Sequence, residues 1–308
     1  MIAAIDVGGT KIAAGMVDAN GRVVSRLDCL TQAERGFPDG LARIREMLQQ
    51  AAREAQAEIT GIGIGCTGPV DPFTGFILNA DTLPSWQHSD LAGELAREFA
   101  VPVAMENDAD AAALGEAAWG AGRGKRNFIY VTISTGIGVG VIADGRLYRG
   151  VDGFHPEIGH HVIEASGLKC YCGANGCWES LASGPAMVSW MQAQAPGKYD
   201  DLSARGIFAL ADGGDPLALR AVEREGLYVG VGLANLVIMY CPEAIALGGG
   251  VMKSGDRFMP VAREVIRRNC AMVPFEKTAI VDAELGSDTG LRGAARVWRH
   301  RFDAEGGR

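Results

Sequence analysis

Ile2-Ala3-Ala4-Ile5-Asp6-Val7-Gly8-Gly9-Thr10-Lys11-Ile12-Ala13-Ala14-Gly15-Met16-Val17 is the stretch on which the fold turns. Two apolar runs, 2–7 and 12–17, flank the small-residue turn Gly8-Gly9-Thr10-Lys11 and predict strand, tight turn, returning strand. Asp18-Ala19-Asn20-Gly21 turns the chain again before Val23-Val24. Three antiparallel strands in succession differ from a nucleotide-binding βαβ unit, whose glycine turn would open a helix. The same pattern returns mid-chain. A strand over 127–133 meets Ser134-Thr135-Gly136-Ile137-Gly138, a second strand covers 139–143, and Asp144-Gly145 makes a hairpin turn before Leu147-Tyr148. The repeat implies two related units with no low-complexity linker, the glycines of 118–125 marking the hinge.

Between and after these hairpins, helical spacing covers 38–57, with Leu41, Ile44, Met47, Leu48 and Ala51 on one face. A glycine-interrupted strand over 59–65 runs into the loop Cys66-Thr67-Gly68-Pro69-Val70-Asp71-Pro72. A helix is read over 89–99, a short strand over 101–105 and an alanine-rich helix over 108–119. Later helices fall at 185–194, 203–211 and 215–240, and a buried strand over 244–247 ends in Gly248-Gly249-Gly250. The last apolar helix lies near 288–298, with Ser287 or Asp288 as its cap.

Composition narrows the class. The 308 residues suffice for two domains with substantial cores, and 48% are hydrophobic with no apolar run of membrane-spanning length. The start, Met1-Ile2-Ala3-Ala4-Ile5-Asp6, lacks a basic leader and is read as no signal peptide. Seven cysteines without such a leader fit free or metal-bound thiols in a cytoplasmic protein. A net charge of −8 argues against general nucleic-acid binding, so local amides or a bound cation must hold any anionic ligand.

Chemistry concentrates in the loops. Glycines let backbone N–H groups crowd around phosphate oxygens, which suits Gly8 and Gly9 with Thr10 and Lys11, and Gly136 with Thr135. Asp6, ending the first strand, is placed to hold Mg²⁺ through water. Gly248-Gly249-Gly250 offers a flat surface for adenine or ribose, or is a plain strand-to-helix turn. Glu106-Asn107-Asp108-Ala109-Asp110 reads either as a helix cap or as a general base at a rigid strand end. Cys170, Cys172 and Cys177, with histidines upstream, can supply four ligands to tetrahedral zinc. His160 is the preferred histidine, because His161 would face away on an extended segment and His155 precedes a proline. Glu157 and Glu179 flank these ligands and could be aimed at a polyhydroxylated molecule.

Taken together, Asp6-Val7-Gly8-Gly9-Thr10-Lys11, Glu157-Ile158-Gly159-His160, Cys170-Tyr171-Cys172-Gly173-Ala174-Asn175-Gly176-Cys177 and Gly290-Leu291-Arg292-Gly293-Ala294-Ala295 resemble the ROK sugar kinases of the actin-like ATPase superfamily. The resemblance implies an α/β fold of two actin-like (ribonuclease H-like) domains with a nucleotide and sugar cleft between them. Residues 1–118 would form the first, with a terminal helix of about 287–308 packing back on it, and 119–286 the second, bearing the zinc loop. By resemblance Asp108 is the catalytic base. Gly68, Asn107, Asp108, Glu157, His160 and Glu179 contact sugar, and His160, Cys170, Cys172 and Cys177 bind structural Zn²⁺. Asp6, Gly8, Gly9, Thr10, Lys11, Thr135, Gly136, Gly249 and Gly250 would serve ATP and Mg²⁺.

The chain departs from the pattern twice. His155-Pro156 stands where a glycine commonly precedes the glutamate, as in fructokinase-like members, and Asp110 replaces a frequent Asn. The family's repressors carry DNA-binding helices before the first hairpin, and none is expected here. The expectation is an ATP-dependent hexose kinase acting on the sugar 6-hydroxyl, a glucokinase and a homodimer, without nucleic-acid or membrane partners. N-acetylglucosamine, N-acetylmannosamine or fructose kinases are the alternatives, with a non-catalytic sugar sensor and a zinc hydrolase as rivals.

Overall fold

A computed structural model of the chain describes residues 1–303. Its strands are β1 (Ile2–Val7), β2 (Lys11–Val17), β3 (Val23–Leu30), β4 (Gly61–Cys66), β5 (Val103–Asn107), β6 (Phe128–Ile133), β7 (Ile137–Ala143), β8 (Arg146–Leu147), β9 (Ala244–Gly248) and β10 (Ala279–Asp282). Its helices are α1 (Phe37–Ala55), α2 (Leu91–Phe99), α3 (Asp108–Trp119), α4 (Trp178–Ala182), α5 (Gly184–Gln194), α6 (Ala204–Asp212), α7 (Pro216–Tyr240), α8 (Met259–Asn269) and α9 (Thr289–Phe302). None of them is long and apolar enough to cross a membrane.

The first sheet has the order β3-β2-β1-β4-β5. The opening hairpin forms as read, with Ile5 opposite Ala14, while β4 joins β1 in parallel with Ile5 opposite Ile64. Alternation along β1 sends Ala3, Ile5 and Val7 into one core with the apolar face of α1. Ile2 and Ala4 enter another with Leu291, Ala294 and Ala295 of α9. The glycines of β4 admit α9: a β-carbon on Gly63 would lie 1.9 Å from the Ala294 carbonyl oxygen. The Asp288 side chain does not cap α9, contrary to one expectation; its Oδ1 accepts from Arg26 at 3.1 Å. Residues 304–308 of the expected terminal segment lie outside the described residues.

The second sheet has the order β10-β9-β6-β7-β8. Asp144 and Gly145 both take positive φ (52° and 78°), the turn that matches strand twist between β7 and β8. By packing, Met1–Tyr130, Gly140–Pro156 and the chain from Ala283 form one compact unit. Val131–Val139 and Glu157–Asp282 form the other. The chain thus changes unit inside β6 and β7.

One buried acid locks the first unit. Glu116 of α3 is fully buried and accepts N–H donors from Ala121 (2.9 Å), Glu284 (3.2 Å) and Leu285 (2.9 Å). Glu116→Ala would strand these amides and is expected to destabilise the protein by roughly 3 kcal/mol. Glu116→Gln, which keeps an acceptor, should lose less. Urea midpoints for the two variants check this, and equal losses would refute it.

Candidate active site

In the first unit, the β1–β2 hairpin closes through the Gly8 N–H donating to the Lys11 carbonyl at 2.9 Å. Thr31 braces it, its N–H donating to the Thr10 carbonyl at 2.9 Å and its hydroxyl to the Gly8 carbonyl at 2.6 Å. Gly9, Thr10 and Lys11 remain exposed at the tip. The Gly68 loop meets this hairpin at Thr82. A β-carbon on Gly9 would lie 3.0 Å from the Thr82 β-carbon. The buried Asn79 amide donates to Thr82 Oγ1 at 2.7 Å and to the Gly68 carbonyl at 2.5 Å. Asn79 and Thr82 have no signal in the sequence, since an asparagine in a loop carries no pattern of its own.

Asp6 lies where α9 begins. A β-carbon on Gly290 would sit 2.0 Å from its Oδ2, so glycine there is a steric requirement. Burial and, second, the nearby Asp108 charge push Asp6 up to about 7. A buried carboxylate whose proton affinity is raised by burial and a neighbouring acid is a fitting environment for a divalent cation.

Asn107 and Asp108 form the β5–α3 corner, and the structure assigns the capping chiefly to the first. Asn107 Oδ1 accepts from Ala109 N–H at 2.8 Å and from Asp110 N–H at 3.4 Å. Asp108 is half-buried, and its Oδ1 accepts from Ala109 N–H at 2.8 Å. Cap and carboxylate therefore coexist on adjacent residues. The two departures from the family pattern meet here: His155 Nδ1 lies 2.9 Å from Asp110 Oδ2.

The three histidines of this stretch have separate fates, His155 in the first unit and His160 and His161 in the second. His155 is already accounted for. His161 Nδ1 donates to the Ile158 carbonyl at 2.5 Å, and its Nε2 sits 3.1 Å from Asn235 Nδ2, so it is structural. His160 closes a 3₁₀ turn, Ile158–His160, and His161 leaves it in extended conformation. His160 joins Cys170, Cys172 and Cys177 in a cluster whose ligand atoms all lie within 4.8 Å of one another. Cys170 Sγ is 3.5 Å from His160 Nδ1, and Cys172 Sγ is 3.5 Å from Cys177 Sγ. Metal–ligand bonds of about 2.0–2.3 Å imply tetrahedral edges close to these values, so the set fits zinc. His160 Nε2 lies 3.0 Å from the Tyr171 hydroxyl, the outer partner that fixes a ligating imidazole. Gly176 makes the loop possible: its φ is 71°, and a β-carbon would meet the Glu164 carbonyl oxygen at 1.7 Å.

Glu179 serves the second hairpin as well as the metal loop. Its Oε2 accepts the Ile137 N–H at 2.8 Å, and a β-carbon on Gly136 would lie 2.4 Å from that oxygen. The Glu157 turn packs there too, since a β-carbon on Gly159 would lie 2.0 Å from the Ile137 carbonyl oxygen. Beside the hairpin opens a cavity of about 440 Å³ lined by Thr135, Gly184, Arg205, Phe208, Gly250 and Lys253 among others. Gly249, with φ 95°, packs on the end of β6. Arg205 and Lys253 had no motif to reveal them; packing alone brings their helix and turn to Thr135.

The ROK family pattern matches residues 2–301. The chain belongs to the ROK family. A glucokinase of Streptomyces coelicolor is 33% identical over 310 residues, covering 96% of each chain. A xylose repressor of Bacillus subtilis is 36% identical over 298 residues, which span 95% of this ROK chain and 75% of the repressor. A solved ROK family glucokinase from Streptomyces griseus, in complex with glucose and AMPPNP, has a TM-score of 0.82 at 34% identity, covering 97% of this chain and 99% of that one. These likenesses establish the α/β fold as the actin-like one.

Proposed function

We propose that this ROK protein is an ATP-dependent hexose kinase that transfers the γ-phosphoryl group to the 6-hydroxyl of glucose. The observation that carries the reading is Asp108, a half-buried carboxylate at a strand–helix corner whose neighbour Asn107 does the capping. The likeness to glucokinases supports glucose as acceptor.

In this reading Asn107 and Asp108 bind the acceptor, and Asp108 orients its 6-hydroxyl. A carboxylate is too weak a base to deprotonate a free alcohol, so Asp108 takes the proton late, as the oxygen turns acidic. Phosphoryl transfer has a loose transition state, and positioning and charge neutralisation dominate its rate. The amides of the two glycine hairpins hold phosphate oxygens, and the cavity beside Thr135 and Gly250 takes the nucleoside. Asp6 would hold Mg²⁺ through water, and the ion would neutralise phosphate charge. His160 and the three cysteines would hold Zn²⁺ as an organiser of the loop between Glu157 and Glu179. Four protein ligands leave that ion no position for a reactive water, which disfavours the hydrolase alternative.

Specificity is the finer part of the proposal. Glu157 and Glu179 are acceptors for sugar hydroxyls, and Pro156 stiffens the chain before Glu157, narrowing the space beside C2. A site built for hydroxyls penalises analogues that leave its polar groups unpaired, so glucose should exceed N-acetylglucosamine, N-acetylmannosamine and fructose in kcat/KM by about tenfold or more. A coupled ADP-release assay over these sugars tests both levels. A higher value for any of the other three would end the glucose assignment, and no sugar-dependent release at all would favour a sensor.

A further inference from the structure

The β5–α3 corner carries more charge than its proposed chemistry requires. Glu106 stands two residues before Asp108 and Asp110 two residues after it, and both are buried. Burial is the largest influence on Glu106, raising its pKa to about 7, and Arg149 opposes that rise. An acid so placed would repel a neighbouring base and strain the corner unless a cation met it.

The partners of both acids come from one segment. Arg149 grips Glu106 with two nitrogens, Nε lying 3.3 Å from Oε2 and the second nitrogen on Oε1. His155 Nδ1 lies 2.9 Å from Asp110 Oδ2, with side-chain exposures of only 8% and 1%. The segment between them is a tight loop of its own, with Gly150 N–H donating to the Phe154 carbonyl at 2.7 Å and Phe154 N–H to the Val151 carbonyl at 3.1 Å. Its Gly153 is pressed onto Phe73, where a β-carbon would meet the ring at 2.2 Å. A stiff loop with a basic side chain at each end thus holds the two acids that bracket Asn107-Asp108.

We propose that Arg149 and His155 form a two-point clamp that neutralises Glu106 and Asp110 and so positions Asn107 and Asp108 for phosphoryl transfer. Neither clamp residue is assigned contact with the reacting atoms; both act through the acids they hold. The inference rests on the reading of Asp108 as the base. Displacing a catalytic group by about 1 Å can cost on the order of 10²-fold in rate, so the clamp is a large lever on turnover.

The test uses the full-length protein, with glucose-dependent ADP release and, separately, AMPPNP affinity by calorimetry. His155→Ala and Asp110→Ala should each lower kcat by about tenfold or more, with AMPPNP affinity within about twofold of wild type. Because the pair acts as a unit, the double variant should be no worse than the poorer single one. Asp110→Asn, which still accepts a hydrogen bond and carries no charge to neutralise, should retain most of the turnover. Arg149→Gln, at the more exposed end, should fall about as far and keeps the test open if His155→Ala does not fold. Unchanged kcat in the His155 and Arg149 variants, multiplicative losses in the double variant, or Asp110→Asn as poor as Asp110→Ala would each overturn the clamp. A fall in AMPPNP affinity parallel to kcat would overturn it too, by exposing a general structural loss. An active wild type with unaffected variants removes the clamp alone, while a wild type inactive on every sugar removes the kinase reading and the clamp with it.

Discussion

Asp108→Asn is expected to lower kcat by about 10²–10⁴-fold, the usual scale for a lost general base. Sugar should still bind. The amide is nearly the same size as the carboxylate and keeps an oxygen for the Ala109 N–H that Asp108 accepts at 2.8 Å. Asn107 would continue to cap α3 through its bonds to Ala109 and Asp110, so the helix start should not fray. The loss then appears in turnover and not in folding, because an amide can orient a hydroxyl but cannot take its proton. Steady-state kinetics with glucose, together with glucose affinity by calorimetry, separate the two. A variant retaining more than about half of wild-type kcat would remove Asp108 from the role of base.

The second large effect concerns the metal. One zinc per chain is expected by elemental analysis of purified protein, and Cys172→Ser should abolish it. Few hydrogen bonds within the loop replace the ion: Cys170 N–H donates to the Ala174 carbonyl at 2.8 Å, and Gly173 N–H to the Cys170 carbonyl at 3.0 Å. Besides these, the loop meets the histidine turn locally, through the Tyr171 hydroxyl 3.0 Å from His160 Nε2 and the Trp178 N–H donating to the His161 carbonyl at 3.0 Å. The free energy of binding a structural zinc is folding free energy for the loop it closes. Its loss should release His160 and Tyr171 and, through them, the Glu157 turn. The expected result is a KM for glucose raised by about tenfold or more, with a smaller change in KM for ATP. A zinc-free preparation with an unaltered glucose KM would defeat the organiser role. A protein that binds no zinc when purified without chelators would defeat the site itself.

Much of this molecule is legible one segment at a time, because the signals are local. The Gly8-Gly9 turn between apolar runs leads to the β1–β2 hairpin, and the helical spacing of Leu41, Ile44, Met47, Leu48 and Ala51 leads to a helix with those residues buried. Three cysteines over a short span, two glycines with positive φ and an upstream histidine lead to the ligand cluster. Elements without such signals are not legible. α4 is too short for a period to develop, and β10 is an edge strand with no fully buried residue and therefore no inward alternation. α8 does carry helical spacing at Met259, Ala262, Val265 and Ile266, but the irregular 3₁₀ turn of Val251–Arg257 before it obscures where that spacing starts.

Pairing between distant residues has no such local trace. Sequence periodicity places Asp110 on a helix and leaves His155 as a histidine before a proline; their meeting across 45 positions comes from how the chain between them folds. The same holds for Glu106 with Arg149, 43 positions apart, and for Glu116 with Leu285, 169 positions apart. Arg205 and Lys253 reach one cavity only because α6 and the turn after β9 pack against the Ser134 loop. Local spacing sets which residues share a face and where the chain must turn. Which buried charge finds which partner is chosen by long-range packing, where the cost of an unmatched acid in the core selects the cation that folding brings within reach.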